Sequence, residues 1–358
     1  MNLTYRVKRG LLKARTEGIR QVASLIARDA KTKLQLGLMQ TFPSLTGTFS
    51  PQLNGVFLEP TSKCNLHCVM CGRGSRPDGF MDVELWKRLI DEVADVGNVS
   101  LVLHMGGESL FHPSFLDMLK YAMSKRKRLR RVGFVSNGTL LSDRVQQKLV
   151  DLQVDWIAVS LDGLGRVNDK IRVGSKYEQV EANIKGLLKK RGEKLKPEVG
   201  INLTDVGQSQ TEVEEFINAW VGIVDNIRVA PCQNTTDNRF ISRDFFEGLD
   251  VEKNRLCFSP FAALAIFWNG DVVGCCTDLN GLQVLGNVQN ESLMSVWNGA
   301  SFRQMRRDLA THHVQNWPLC RNCELWQNNI KARSAVYAGY TIRYDNLFKF
   351  YQKRKAKS

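Results

Sequence analysis

Three cysteines stand close together in the first quarter of the chain, as Cys64, Cys68 and Cys71 in the spacing C-x3-C-x2-C. They follow a short apolar run, so their loop lies at the carboxyl end of a predicted strand. Structural zinc usually takes four ligands, and three thiolates leave one position open. His67 is an alternative fourth ligand, although its ring would have to fold back onto the same ion. An iron–sulfur cluster with one open iron fits the count better, and buried structural thiols are the remaining alternative.

A second set of cysteines lies in the last third of the chain, in the spacing C-x17-C-x44-C-x2-C. Its members are Cys257, Cys275, Cys320 and Cys323, with Gly270 placed as G-x4-C before the second of them. Four thiolates complete a [4Fe-4S] cluster with no open iron, which suits electron transfer. Structural zinc on four thiolates is the alternative. Cys276 could replace Cys275, but the G-x4-C register favours Cys275.

Two of the nine cysteines and the histidines are left over from these sets. Cys232 ends a predicted strand and is interpreted as a small buried hydrophobe, with a position facing the active site as the alternative. The histidines show no metal-ligand spacing with one another and are interpreted as structural; they are His104, His112, His312 and His313.

Six short apolar runs separated by stretches of helical periodicity predict an α/β chain built on βαβ units and a parallel sheet. The predicted strands are 56–59, 99–104, 131–136, 156–161, 198–203 and 227–230. In such a sheet the chemistry gathers at the carboxyl ends of the strands, which is where the first cysteine loop lies. The sequence of residues 264–273, which is centred on Asn-Gly-Asp, predicts a hairpin in a second module.

The segment from Cys64 to Cys71 resembles the cluster loop of the radical S-adenosylmethionine (SAM) superfamily. That resemblance implies a partial (β/α)6 TIM-like barrel and a [4Fe-4S] cluster on the three cysteines. It also implies that SAM chelates the open iron and is cleaved to a 5′-deoxyadenosyl radical, which abstracts hydrogen from the substrate. The position before the third cysteine is often aromatic in the family. Here it is Met70, which we expect to offer a soft apolar face to the adenine.

Three further segments fall where the resemblance requires SAM contacts. Gly106, Gly107 and Glu108 follow the second strand and are similar to the family's GGE motif, whose backbone and carboxylate take the methionine ammonium. Ser136 and Asn137 end the third strand, and Ser160 and Asp162 end the fourth. Similar polar residues in the family contact the ribose or the carboxylate. A plain turn is the alternative for each segment taken alone.

The sequence from Cys257 to Cys323 resembles a SPASM-type module in its shortened, twitch-like form. That resemblance implies one auxiliary [4Fe-4S] cluster. The predicted division of the chain has five parts. They are a basic helical extension and linker (1–51), a radical SAM core (52–233), a linker (234–256), the auxiliary module (257–326) and a basic C-terminal tail (327–358).

The net charge of +14 belongs to the two ends of the chain. Residues 1–35 hold nine basic and two acidic side chains and residues 331–358 hold eight and one, whereas the remainder is balanced. We interpret these ends as solvated or packed helices, with attachment to an anionic membrane as the alternative. No aromatic interleaving supports nucleic-acid binding. Without a predicted signal peptide or membrane span, a cytoplasmic, reducing location is expected.

The spacing of the second cysteine set most resembles that of dehydrogenases that oxidise a secondary alcohol of an aminocyclitol or sugar. The second hypothesis is radical modification of a peptide or protein side chain. Either reading implies a reductant protein, flavodoxin or ferredoxin, together with a small-molecule or peptide substrate. A third hypothesis, from another class, is a non-catalytic, metal-stabilised binding protein.

Overall fold

The computed structural model describes Ala30, Leu34 and the ranges 51–73, 76–234, 251–253, 257, 259–324, 328–337, 340–346 and 348–353. The predicted basic N-terminal helix lies outside the described residues, apart from Ala30 and Leu34, which are helical. The predicted linker at 234–256 also lies mostly outside them.

Six strands alternate with helices in the first part of the chain, and shorter elements follow. The strands are β1 (Gly55–Leu58), β2 (Ser100–Val102), β3 (Arg131–Ser136), β4 (Trp156–Ser160), β5 (Glu198–Asp205), β6 (Asn226–Pro231), β7 (Val251–Lys253), β8 (Ala263–Ile266), β9 (Asp271–Val273), β10 (Val284–Asn287), β11 (Asn328–Tyr337), β12 (Tyr340–Asn346) and β13 (Phe348–Lys353). The helices are α1 (Val83–Val96), α2 (Phe115–Ser124), α3 (Asp143–Asp151), α4 (Arg166–Ile171), α5 (Tyr177–Arg191), α6 (Gln210–Trp220), α7 (Ser259–Ala262), α8 (Leu293–Trp297), α9 (Ala300–Ala310) and α10 (Pro318–Arg321), with a 3-10 turn at Ser109–Phe111.

Strands β1 to β6 pair in parallel and in chain order, which confirms the predicted parallel sheet. β8 joins the other edge of β1, also in parallel, and continues into β9 as the predicted hairpin. The first strand of the predicted auxiliary module, β8, is therefore part of the core sheet, so the barrel and the auxiliary module contribute strands to the same β-sheet.

The strands bury alternate side chains, which separates the two faces of the sheet. Residues on the outer face pack under the helices and are almost inaccessible, as Leu103, Phe134 and Val159 at 0% exposure show. The positions that alternate with them are partly accessible. They are Val102, His104, Val135, Ala158, Ser160, Asn202, Thr204, Arg228 and Ala230. Because β/α barrels cover the outer face with helices, these accessible positions line the concave side, which we call the lumen.

A buried carboxylate fastens the opposite end of the sheet. Asp155, immediately before β4, accepts hydrogen bonds from the Val132 amide at 2.8 Å and from Lys196 Nζ at 2.6 Å, and it pairs with Arg126. Burial acts to raise the pKa of Asp155, but these donors outweigh it and lower the pKa below 3.8. The ion group ties β3 and β4 to the segment that enters β5.

The C-terminal segment corrects the prediction of a tail or a packed helix. β11, β12 and β13 form an antiparallel group, and β13 pairs with β6, so the sheet continues beyond the barrel. β7 pairs with β11 at the far edge.

Candidate functional site

The first cysteine loop lies between β1 and α1, and hydrogen bonds hold its two ends together. It leaves the sheet after β1 and returns before α1, where the Met81 amide donates to the Pro60 carbonyl at 2.8 Å. The Thr61 hydroxyl donates to the Gly79 carbonyl at 2.6 Å, and this bond is buried. These contacts hold the loop over the carboxyl ends of the strands, as the sequence predicted.

The middle of the loop is fixed by the segment that follows α4. The amides of His67 and Val69 donate to the carbonyls of Val173 and Ile171, both at 2.9 Å. This backbone ladder sets Arg172 beside the cysteines, with Arg172 Nη1 at 3.9 Å from Cys68 Sγ.

The three predicted ligand thiols lie in one neighbourhood. Cys64 and Cys68 are partly buried and Cys71 is exposed. Burial raises the pKa values of the Cys64 and Cys68 thiols above 9.0, and each of the two is affected by the charge of Cys71. No three His, Cys, Asp or Glu side chains among the described residues are placed as ligands of a metal ion.

Two side chains direct N–H groups at these sulfurs. Arg172 approaches Cys68, and Asn137 Nδ2 lies 3.8 Å from Cys64 Sγ. Hydrogen bonds to ligand sulfurs are one of the means by which a protein sets the potential of an iron–sulfur cluster. The donor set, the shared loop and the partial exposure therefore fit a cluster on three cysteines.

Arg172 is held by Asp162, one of the predicted SAM contacts. Arg172 Nε lies 2.7 Å from Asp162 Oδ2, and the Thr204 amide donates to the other carboxylate oxygen at 2.7 Å. Asp162 is fully buried, and burial raises its pKa even though Arg172 acts to lower it. In this arrangement Asp162 positions Arg172 beside the cluster loop, and both of its oxygens already have partners within the protein.

Glu108 organises the neighbouring strand ends in a similar way. Its carboxylate accepts from Ser136 Oγ at 2.9 Å, the Asn137 amide at 2.6 Å and the Leu110 amide at 3.1 Å. Burial raises the pKa of Glu108 despite these donors. A carboxylate offers about four acceptor sites, so these bonds leave room for one further donor. The predicted residues Glu108, Ser136 and Asn137 are thus brought into direct contact.

The two glycines before Glu108 are explained by close packing. A Cβ on Gly107 would lie 2.2 Å from the Thr61 carbonyl oxygen and 2.6 Å from that of Lys63. A Cβ on Gly106 would lie 3.0 Å from Glu59 Oε1. The absence of side chains here allows the end of β2 to approach the base of the cluster loop.

Met70 and Ser160 complete the predicted set for the first site, and both are partly accessible. Ser160 stands at the last position of β4 on the lumen side. Cys232 is buried after β6, and burial raises its pKa to about 11, with the charges of Asp162 and Asp205 adding to the effect. Its burial agrees with the interpretation of Cys232 as a small buried hydrophobe, and the alternative position facing the active site stays a prediction.

An ion pair that the sequence analysis missed joins the two modules. Arg76 donates from both terminal nitrogens to Glu59, at 2.8 and 3.1 Å, and from Nε to the Leu279 carbonyl at 2.7 Å. Glu59 also accepts from the amides of Gly106 and Trp268, each at 3.1 Å. The sequence feature that could have indicated this pair is a glutamate at the end of an apolar strand, because a buried carboxylate needs a partner.

The cysteines of the second set lie close enough for their charges to act on one another. Burial raises the pKa of Cys257 well above 9.0, and the charges of Cys275, Cys323 and Cys320 raise it further. Hydrogen bonds from the Cys276 thiol and the Thr277 hydroxyl lower the pKa of Cys275 to about 6, whereas Cys276 is shifted upward. Cys275 is also the member of this pair whose charge acts on both Cys257 and Cys320, so it lies on the side of the other three cysteines.

The comparisons with known proteins agree with this geometry. A sequence model of the radical SAM superfamily matches residues 58–218, and one described as the SPASM iron–sulfur cluster-binding domain matches residues 257–324. A relative from Pyrococcus furiosus, a tungsten-containing aldehyde ferredoxin oxidoreductase cofactor-modifying protein, is 26% identical over 318 residues, covering 75% of this chain and 87% of its own. A SAM-dependent 2-deoxy-scyllo-inosamine dehydrogenase from Niallia circulans is 23% identical over 291 residues, covering 80% and 96%.

Two solved structures share the fold. SuiB from Streptococcus suis bound to S-adenosylmethionine superposes with a TM-score of 0.61 at 16% identity, covering 81% of this chain and 80% of its own. BtrN in complex with AdoMet and 2-DOIA superposes with a TM-score of 0.53 at 17% identity, covering 76% and 94%. At these identities the superpositions establish the fold.

The chain is a radical SAM enzyme: it belongs to the radical SAM superfamily and carries a SPASM-type domain after its partial barrel. Its cofactors are accordingly SAM with a [4Fe-4S] cluster in the first domain and further iron–sulfur chemistry in the second. No helix within the described part of the chain is long and apolar enough to cross a membrane.

Proposed function

We propose that Cys64, Cys68 and Cys71 hold the catalytic [4Fe-4S] cluster and that the four cysteines of the second set hold one auxiliary [4Fe-4S] cluster. When bound and reduced, the catalytic cluster and SAM supply a 5′-deoxyadenosyl radical that abstracts a hydrogen atom from the substrate. The observation that carries this proposal is the single loop that bears the three thiols at the carboxyl ends of the strands, with the Asn137 amide beside Cys64 and the Arg172 guanidinium beside Cys68.

The chain's own residues orient and enclose the reactants in this scheme. Glu108 fixes Ser136 and Asn137, and its remaining acceptor position suits the ammonium group of SAM. Asp162 fixes Arg172. Met70 and Ser160 are the accessible residues that would meet the nucleoside. The auxiliary module covers the cluster loop through Trp268, whose indole donates to the Pro77 carbonyl at 3.2 Å.

The reaction we propose is the two-electron oxidation of a secondary alcohol, such as a carbinol of an aminocyclitol or sugar. Hydrogen-atom abstraction from the carbinol carbon leaves a carbon radical. Loss of the hydroxyl proton and of one electron would then give the ketone, and the auxiliary cluster that the four cysteines would hold is the group able to accept that electron. Support comes from the single auxiliary set of four thiols and from the dehydrogenase relative, which this chain matches over 96% of that relative's length. A flavodoxin or ferredoxin is the proposed reductant, and the cytoplasm is the proposed location.

The second candidate is modification of a peptide or protein side chain. It is favoured by the fold shared with SuiB, which has also been solved bound to its precursor peptide SuiA, with a TM-score of 0.59. The two candidates differ in the room they require, because a peptide needs an open groove that leads to the lumen.

The proposal is tested by anaerobic reconstitution with iron and sulfide, followed by addition of dithionite and SAM. We expect the wild-type protein to form 5′-deoxyadenosine and Cys64→Ala to form none. Cys320→Ala is the matched control, which should lose auxiliary iron and still cleave SAM. Absence of 5′-deoxyadenosine from wild-type protein with both clusters loaded contradicts the proposal.

Substrate class is tested by deuterium transfer. A panel of aminocyclitols and sugars deuterated at the carbinol carbon is compared with peptides deuterated at the side-chain carbons. Transfer of deuterium into 5′-deoxyadenosine from a member of the first group supports alcohol oxidation. Transfer only from a peptide replaces it with the second candidate.

A further inference from the structure

A buried glutamine lies beside one of the predicted ligands of the auxiliary cluster. Gln283 is only 5% exposed, although glutamine side chains mostly lie at the surface. Its Oε1 atom lies 3.8 Å from Cys320 Sγ, and this contact is buried. Its Nε2 atom is also buried and has no hydrogen-bond partner among the described residues. Leaving a buried donor unpaired is costly, so a group that accepts a hydrogen bond belongs beside Nε2.

A short turn fixes the backbone of Gln283. The amides of Leu282 and Gln283 donate to the two carboxylate oxygens of Asp278, each at 2.9 Å. Asp278 is fully buried, and its own amide donates to the Cys275 carbonyl at 3.1 Å. Gln283 is thus tied through Asp278 to one predicted ligand, while its side chain contacts Cys320, a predicted ligand from a distant part of the chain.

The same turn is also held from the side of the barrel. The Leu279 carbonyl accepts a hydrogen bond from Arg76 Nε at 2.7 Å. The Arg76 guanidinium in turn stacks on the Phe267 ring, 3.4 Å from its centroid. Because the turn is fastened at both ends, the carboxamide of Gln283 is held at a defined place beside the second set of cysteines.

The contact between Gln283 and Cys320 changes its character when the sulfur becomes a ligand of iron. A thiol donates its S–H to Oε1, as the observed geometry has it. A ligand sulfur is a thiolate, which has no proton and can only accept a hydrogen bond. The two ends of a carboxamide have nearly the same shape, so a half-turn of the amide exchanges Oε1 and Nε2. Nε2 then donates to the sulfur and is no longer unpaired.

Similar donors accompany other predicted ligands of the two sites. Thr277 Oγ1 lies 3.1 Å from Cys275 Sγ in the second set. In the first set, Asn137 Nδ2 lies 3.8 Å from Cys64 Sγ, which is the distance at which the Gln283 amide meets its cysteine. Each site therefore has a side-chain amide beside one ligand sulfur, and Gln283 is the counterpart of Asn137 in the second site.

We propose that the Gln283 carboxamide donates a hydrogen bond to the Cys320 sulfur of the auxiliary [4Fe-4S] cluster and thereby raises the reduction potential of that cluster. Reduction adds negative charge to the cluster, so a donor at a ligand sulfur stabilises the reduced form more than the oxidised form. The inference rests on the proposed function, since it needs the second set of cysteines to hold a cluster. It assigns to Gln283 the task of making the auxiliary cluster a better electron acceptor.

The test is a potentiometric titration of the reconstituted holoenzyme, followed by electron paramagnetic resonance. The signal that SAM leaves unchanged reports the auxiliary cluster. Gln283→Met keeps an unbranched side chain of similar length and removes the donor. We expect this variant to keep its iron and to lower the equilibrium constant for reduction of the auxiliary cluster about 10-fold, which corresponds to about 59 mV for one electron.

Two further variants accompany Gln283→Met. Gln283→Leu also lacks the donor and should shift the potential in the same direction. Gln304→Met is the matched control, because it changes an exposed glutamine on α9 of the same module, and it should titrate as wild type does. Equal potentials of wild type and Gln283→Met, with both sites loaded with iron, overturn the inference.

A measurement on the wild-type chain decides the matter if neither Gln283 variant binds iron at the second site. The protein is labelled with nitrogen-15 in its glutamine carboxamides, and the reduced auxiliary cluster is studied by pulsed electron paramagnetic resonance. We expect a magnetic coupling between the cluster and one labelled nitrogen. A loaded second site without this coupling overturns the inference alone, whereas a wild-type protein without iron at that site contradicts the proposed function and overturns the inference with it.

Discussion

Replacing Glu59 with glutamine should damage the junction between the barrel and the auxiliary module. Glu59 is 0% exposed and accepts four hydrogen bonds, two from Arg76 and one each from the Gly106 and Trp268 amides. A glutamine keeps the shape but removes the charge, and its amide nitrogen turns a donor toward other donors. The Arg76 side chain, only 12% exposed, is then left without its counter-ion. Breaking such a buried pair costs about 3–5 kcal/mol.

The loss is measured as a fall in the thermal denaturation midpoint. A penalty of that size corresponds to a fall of about 4–7 °C, since an unfolding entropy of about 2.1 cal/mol/K per residue amounts to roughly 0.75 kcal/mol/K for the 358 residues. Glu84→Gln is the control, because Glu84 forms an exposed pair with Lys87 on α1, and solvent-screened pairs of this kind contribute little to stability. The double variant Glu59→Met with Arg76→Met should be less destabilised than the two single changes combined, since no buried charge remains. A Glu59→Gln midpoint equal to that of Glu84→Gln would refute the reasoning.

Three further predictions follow from the site and the sheet. Gly107→Ala places a Cβ 2.2 Å from the Thr61 carbonyl oxygen, so it should lower the amount of iron bound at the first site. Gly55→Ala is the control, because its Cβ would lie 3.7 Å from the nearest atom and iron binding should be unchanged. The iron content of each variant is measured after reconstitution. Asp155→Asn should lower the denaturation midpoint at pH 7. Because folding lowers the pKa of Asp155, the difference in midpoint between this variant and wild type should shrink as the pH falls below 3.8. A difference in midpoint that grows on acidification contradicts this prediction. Cys275→Ala should abolish iron binding at the second site and Cys276→Ala should retain it, since Cys275 is the member of the pair whose charge acts on Cys257 and Cys320. The reverse result in iron analysis would reassign the ligand.

Periodicity found the six parallel strands because each is a run of apolar residues bounded by turn residues and separated from the next by helical spacing. It also placed the cysteine loop and the strand-end residues Glu108, Asn137 and Asp162 at one edge of the sheet. It could not show that the carboxylate oxygens of Glu108 and Asp162 accept hydrogen bonds from other groups of the protein, because those donors come from other strands. The Glu59–Arg76 pair was missed for the same reason, as its members meet across a loop.

The C-terminal strands and the lumen were beyond the sequence signals for different reasons. β11, β12 and β13 are stabilised by pairing with one another and with β6, and strand preference depends strongly on such context. His104 and Arg228 lie 124 positions apart in the chain. Their relation depends on how the strands are arranged in space, so the sequence could not show that the charge of Arg228 acts on the buried His104 ring; the interpretation of His104 as structural stays a prediction.

The central claim is that two separate iron–sulfur sites exist and that only the first has an iron open to SAM. The most direct measurement is iron content together with the electron paramagnetic resonance spectrum of the reduced protein, with and without SAM. Changing Cys64, Cys68 and Cys71 together to alanine should remove about half of the iron and abolish the spectral response to SAM. Changing Cys257, Cys320 and Cys323 should also remove about half and leave the response intact. Zinc in place of iron at the second site, or a SAM response that survives loss of the first three cysteines, would contradict the account.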